Sequence, residues 1–549
     1  SRFGNYPTTV LARDFMAAPS AFLAYTLSDV SLADGFVAIA GAGVLLVLSA
    51  VATKLIWQNS GSMRGSATML GAGALLMWGT HAIPTKNVNR QHAFLIAEHS
   101  LPAAKYLIQS FSSRTGNGVE SARPYIPRVE SSPPGDAKRL PRARHVLLVI
   151  AEALRADHLM AYGYQRHTMP FLESKEADWL VFRRAYSHGS RTADSFPVIF
   201  NSRYFAAVDH TSTGAAALWS GLRSGGVRSG FISAGALEWS GVTRAIDFES
   251  IDVRMIASDF SKELRLEVSP LPFDYAVDDS RVVSKYIELI ASTTRDQPSF
   301  VTLHLVGSHY PFHYEDTPDA FLPSLRQPAG TSMGERLRVQ SYDSDADVTT
   351  TRLEELRNSY DNSLRHIDHV LQQAVESLEQ AGIADDSVVM FTSDHGESLG
   401  EHQTLFHGTT LYEEQVHVPL LMRVGKNVRE LAAPLAARSD HVVGQVDLIP
   451  TVYQLLLGGE AAPRAFEGRS LLGSHVKPYE LLLFRGIGEK LGIVSDHEKY
   501  LFDVIGKRGE EYQLSDDPGE RRDRWYADED STTAFLGEVR RRNPSWFSP

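Results

Sequence analysis

An aspartate and a histidine stand side by side in Phe391-Thr392-Ser393-Asp394-His395-Gly396-Glu397-Ser398-Leu399-Gly400-Glu401. The pair offers one hard oxygen and one borderline nitrogen, a combination suited to zinc or manganese. A second carboxylate, Glu152, follows the apolar run His145–Ala151, and a charge at the end of a buried strand is costly unless paired or bound to a metal. Glu152 is therefore a candidate third ligand. Hydroxyls cluster in Gly189-Ser190-Arg191-Thr192-Ala193-Asp194-Ser195, where a small-residue loop is expected and a lone Thr is most often a turn or cap residue. Three more imidazoles are His304 within the strand-like run Phe300–Val306, His309 in the Gly307–Phe312 stretch it leads into, and His407 in Leu405–Gly408; a single histidine at any of these places is more often structural than functional. For Asp394-His395 alone, the competing reading is an acidic turn capping a helix that begins near Glu397.

The elements that must position these groups form an α/β pattern. Short β-branched runs at His145–Ala151, Val227–Ser233, Phe300–Val306, Ser387–Thr392 and Val418–Arg423 read as strands. Helical patterns cover Thr351–Ala381 and Val446–Leu457. Such alternation predicts a mostly parallel central sheet flanked by helices, and ligands of open α/β sheets sit at the carboxyl ends of the strands.

The 549 residues carry a formal charge of -12, and no basic stripe with interleaved aromatics appears, which argues against nucleic acid as a partner. With no cysteine, neither a thiolate metal site nor a disulfide can form. Two apolar runs, Phe36–Trp57 and Ser66–Ile83, approach the roughly 20 residues of a bilayer span. The alternative is a buried Gly/Ala-rich helical hairpin. Lys54, at the far end of the first run, and Arg64 flank the connection between the runs, which has no acidic residue, so the positive-inside rule sets it in the cytoplasm and the remainder on the extracytoplasmic side. The expected layout is a membrane region over 1–95 with spans near 36–57 and 66–83, a Ser/Gly/Pro/Arg-rich juxtamembrane linker over 96–143, a catalytic domain over 144–530 and a tail over 531–549.

Taken in order, Glu152, Thr192, His304, His309, Asp394, His395 and His407 resemble the pattern of the alkaline phosphatase/sulfatase superfamily. The similarity is to its membrane-anchored phosphoethanolamine transferases and lipoteichoic acid synthase-like enzymes. Glu152-Ala153-Leu154-Arg155-Ala156-Asp157-His158 resembles their first metal motif, and Ser187–Ser195 the nucleophile loop with Thr192 on the catalytic threonine. Leu303–Pro311 resembles the phosphate-binding histidine segment, and Ser393–Glu401 the second metal motif, with His407 at the family's spacing. Val446–Thr451, Gly468–Leu471 and Gln513–Glu520 look more like true sulfatases.

The resemblance implies a divalent cation, zinc first and manganese second, held by Glu152, Thr192, Asp394 and His395. His309, His407 and His304 would face substrate phosphate or a second metal. The implied activity moves a phospho-headgroup, phosphoethanolamine or phosphoglycerol, from a membrane lipid to an envelope glycan or lipid acceptor, outside the bacterial inner membrane. Sulfate-ester hydrolysis is the alternative. It needs a formylglycine precursor in Cys/Ser-x-Pro-x-Arg, and Ser195-Phe196-Pro197-Val198-Ile199 has Ile where that motif has Arg. A third reading, an inactive metal-binding ectodomain, would predict a broken ligand set.

Overall fold

In the computed structural model of the protein, the described residues are 142–204, 213–237, 242–267, 275–312, 317–325, 350–458, 463, 465–473, 481–485, 490–503 and 508–525. The expected spans at 36–57 and 66–83, most of the linker and the 531–549 tail lie outside them. Among the described residues, no helix is long and apolar enough to cross a membrane. The chain divides into two compact units, and nearly all described residues fall in the unit formed by 123–333 and 353–549.

The central sheet has seven strands: β1 (His145–Ala151), β2 (Trp179–Val181), β3 (Arg228–Ser233), β4 (Val253–Met255), β5 (Ser299–Leu305), β6 (Ser387–Thr392) and β7 (Leu420–Val424), in the order β2-β7-β6-β1-β5-β3-β4. Every residue of β1, β5 and β6 is buried, as expected of parallel strands covered on both faces. β1 pairs in parallel with β5 on one side and β6 on the other. One edge departs from the expected pattern: β7 runs antiparallel to both β6 and β2, so the sheet is mixed.

Helices α1 (Thr192–Asn201), α2 (Thr213–Ser224) and α6 (Leu448–Leu457) cover one face. Their Phe196, Phe200, Leu218, Trp219, Leu448 and Val452 share one apolar core with Val146, Leu148 and Ile150 of β1. Helix α3 (Asp279–Ala291) packs on β3 and β5, and the long α4 (Thr350–Gln380) and short α5 (Glu413–Val416) follow in the chain. Emptying one of the large core positions, such as Phe196→Ala, removes about 3–5 kcal/mol. A four-stranded antiparallel sheet, β8 (Leu481–Arg485), β9 (Lys490–Val494), β10 (Glu498–Asp503) and β11 (Arg508–Gln513), ends the described chain.

The register positions the chemistry. Ile150 of β1 pairs with His304 of β5 and Thr392 of β6. The three neighbouring strands therefore end at one level. Just beyond, Glu152 leaves β1, Val306–His309 leaves β5, and Asp394-His395 leaves β6.

Candidate metal centre

Glu152, Asp394 and His395 are buried and present ligand atoms within 4.8 Å of one another. Thr192 joins them: its Oγ1 donates to Glu152 Oε1 at 2.6 Å and lies 3.3 Å from His395 Nε2. Thr192 is not in a loop, as its small-residue surroundings suggested, but is the first residue of α1. The positive end of the helix dipole thus lies beside its oxygen, where it favours negative charge. The alternative helix at Glu397 does not form. Ser398–Leu399 instead pairs with Leu405–Phe406 in a two-stranded ribbon.

Each candidate ligand is oriented by a second contact. Asp394 Oδ1 accepts the N–H groups of Ala153 (3.1 Å) and His395 (2.9 Å), whereas Oδ2 is buried without a hydrogen-bond donor. His395 Nδ1 lies 2.9 Å from Gly396 O. A carbonyl can only accept, so Nδ1 carries the proton and Nε2 of the neutral ring is bare. Burial favours that neutral form, holding His395 below the ordinary imidazole range against the pull of Asp394. The bare Nε2 stands 3.4 Å from Asp394 Oδ2, so two lone pairs face each other in a dry place. That juxtaposition is repulsive by itself and becomes two bonds when a divalent cation lies between them. The residues present therefore fit such an ion. Gly396 is required by close approach: a Cβ there would lie 2.2 Å from Glu414 O.

Glu152 is fixed on both sides of its peptide, by Glu152 N–H to Leu305 O (2.8 Å) and by Ser308 Oγ to Glu152 O (2.7 Å). Asp279 accepts the N–H groups of Val306 and Gly307, both at 2.8 Å, and so holds the same loop. Burial alone would raise the Glu152 carboxyl, but the charge of His309 and the contact with His304 outweigh it and keep the group well below the usual carboxylate range.

The three remaining histidines separate into two kinds. His304 has no exposed side-chain surface; its Nε2 lies 3.1 Å from Glu152 Oε2, its Nδ1 2.8 Å from Ser233 Oγ, and the ring of Phe196 packs on it. It backs Glu152 and offers no face to a substrate. His309 and His407 are 25% and 21% exposed, with ring centroids 4.8 Å apart, and His407 lies 4.5 Å from His395. These two are open to a ligand from outside. His407 Nδ1 bonds the fully buried Glu397 at 3.1 Å, a partner that sequence reasoning did not assign although it stands three residues after Asp394. Ser195, the formylglycine candidate, is fully buried and donates to Gly189 O at 3.2 Å.

Comparison with known proteins bears on this geometry. The Sulfatase family model matches residues 144–459, more than half of the chain. Phosphoethanolamine transferase EptA of Helicobacter pylori is 26% identical over 291 residues, covering 52% of this chain and 48% of that protein. Phosphatidylethanolamine transferase Mcr-1 of Escherichia coli is 25% identical over 330 residues, covering 57% and 54%. The chain thus spans about half the length of these relatives. Among solved structures, the phosphonate monoester hydrolase of Agrobacterium radiobacter shares the fold, with a TM-score of 0.51 at 17% identity over 72% of this chain and 94% of that one.

Proposed function

The chain belongs to the sulfatase family, within the alkaline phosphatase superfamily of enzymes, and on that premise we propose a metal-dependent, membrane-anchored phosphotransferase. It moves a phosphoethanolamine or phosphoglycerol headgroup from a lipid to an envelope glycan or lipid acceptor, on the extracytoplasmic side of a bacterial inner membrane. The observation that carries this reading is the choice of hydroxyl: Thr192 Oγ1 faces Glu152 and His395, while Ser195 Oγ turns to Gly189 O. Two relatives named as transferases of this headgroup class support it, and the apolar runs at 36–57 and 66–83 supply the anchor.

Glu152, Asp394, His395 and Thr192 Oγ1 would hold a divalent cation, zinc or manganese. Such an ion lowers the pKa of a bound hydroxyl and stabilises negative charge on phosphoryl oxygens. Thr192 attacks phosphorus, the P–O bond to the lipid's diacylglycerol breaks, and the headgroup phosphate is carried as a phosphothreonine ester. The α1 N-terminus and the rings of His309 and His407 favour charge on the equatorial oxygens. An acceptor hydroxyl then displaces Thr192 and takes the group.

The test follows label from phosphatidylethanolamine and from phosphatidylglycerol in the full-length enzyme, with intact-mass analysis. Thr192→Ala is expected to lose on the order of 10⁴-fold in turnover while the fold is retained. A headgroup-phosphate adduct on Thr192 is the expected trapped species. Near-normal activity of Thr192→Ala, or formylglycine at position 195, sinks the proposal, the latter in favour of a sulfatase.

A further inference from the structure

Beyond Glu152 the backbone does something unusual. Ala153 is fully buried and takes φ 61°, a left-handed conformation that costs an alanine strain. The turn must be over-determined by its surroundings to persist, and one side chain spans it. The hydroxyl of Tyr360, about three turns into α4, donates to Ala153 O at 2.8 Å and accepts from Arg155 N–H at 2.9 Å. A single phenol oxygen therefore closes the bend from both sides. The Tyr360 side chain is fully buried, with its ring edge-on to His158 at 5.0 Å and to Phe312 at 5.6 Å.

The bend has a destination. With Ala153 left-handed, its N–H points at Asp394 Oδ1, and Leu154 N–H reaches Ser393 Oγ at 2.9 Å. Oδ1 is then saturated by Ala153 and His395, and Oδ2 is the oxygen turned toward His395 Nε2. If the bend relaxes, Oδ1 loses one of its two donors and the carboxylate is free to rotate. From this geometry we infer that Tyr360 is a positioning residue for the cation site: its hydroxyl holds the Ala153 turn and so fixes which oxygen of Asp394 is presented. The inference rests on the reading of Glu152, Asp394 and His395 as metal ligands. It assigns Tyr360 no contact with substrate or with the ion.

The experiment measures zinc affinity by competition with a chromogenic chelator, a readout independent of turnover, together with thermal unfolding. Wild type is compared with Tyr360→Phe and with Tyr286→Phe. Tyr286 is also buried and is hydrogen-bonded to Ser377 between α3 and α4, away from the ligands. Tyr360→Phe is expected to weaken zinc binding by about 10–100-fold, the usual effect of removing an outer-shell partner. Tyr286→Phe is expected to stay within about twofold of wild type, since its hydroxyl meets Ser377 and supports none of the candidate ligands. Adding Ala153→Gly to Tyr360→Phe, which removes the penalty of positive φ, is expected to restore part of the affinity. Zinc binding by Tyr360→Phe equal to wild type overturns the positioning role, as does an equal loss in Tyr286→Phe. Failure of wild type itself to bind zinc overturns the metal reading instead, and so separates the two.

Discussion

Two buried groups of acids in this molecule are held in opposite ways. On β10 of the C-terminal sheet, Lys499 is fully buried between Glu413 and Glu520, 2.9 Å from an oxygen of each. Burial would lower the Lys499 pKa, but the two carboxylates outweigh it and hold the ammonium above its ordinary range. Two carboxyls against one ammonium leave an excess, and burial pushes Glu520 up against the pull of Lys499. At the ends of β1 and β6, Glu152 and Asp394 are buried as well, yet among the described residues the side chains nearest their oxygens include no lysine or arginine but the imidazoles His304, His309 and His395. One cluster carries its cation in the chain. On the proposed reading, the other presents ligands to a cation from outside. A buried charge needs compensation in either case, and the source of that compensation is what distinguishes the structural cluster from the proposed metal site.

The largest effect that would sharpen this contrast is expected at the structural cluster. Lys499→Met removes the ammonium that Glu413 and Glu520 share and should destabilise the fold by about 3–5 kcal/mol in urea titrations. Adding Glu413→Gln and Glu520→Gln should recover most of that loss; no recovery would mean that packing, not charge, dominates there. At the metal centre the sign is expected to reverse. Asp394→Asn should lose on the order of 100-fold in zinc affinity, yet in chelator it should be more stable than wild type by about 1–2 kcal/mol, because an amide N–H can donate to His395 Nε2. A less stable metal-free Asp394→Asn would break the comparison.

The smallest effect concerns pH. His402 bonds Glu414 at 2.9 Å and Glu520 O at 3.1 Å, and its ring stacks on Tyr412 at 3.8 Å. Burial works against its protonation, but Glu414 and Glu520 outweigh it and raise the pKa to about 9. A folded-state value above the unfolded one means that this contribution is full below about pH 6.5 and is lost as pH rises through about 9. The group is partly solvent-screened, so the loss should stay below about 1 kcal/mol. Wild-type unfolding free energy should therefore decline between these pH values, and His402→Gln should flatten that decline.

Much of the frame was legible in the sequence because buried parallel strands read as continuous apolar runs. His145–Ala151 and Ser387–Thr392 match the observed strands end for end, and the long helix lies within one residue of its expected limits. The reversed direction of β7 was not legible, since an apolar run carries no sign of orientation. Thr192 read as a loop residue because Gly189–Ser195 is rich in small polar side chains, although helix α1 starts within it. The different jobs of His304 and His407 depend on burial, which their shared residue type conceals. The hydroxyl of Tyr360 meets a turn 207 positions away, beyond the reach of any local pattern.

The shared register of β1, β5 and β6 has a consequence for biosynthesis. Ala153 and Asp394 are 241 positions apart, so their contact can form only after β6 has been synthesised. No shorter fragment of the emerging polypeptide that stops ahead of Asp394 contains the ligand triad. On the proposed metal reading, the emerging chain cannot bring all three ligands together until β6 and the turn after it have been made.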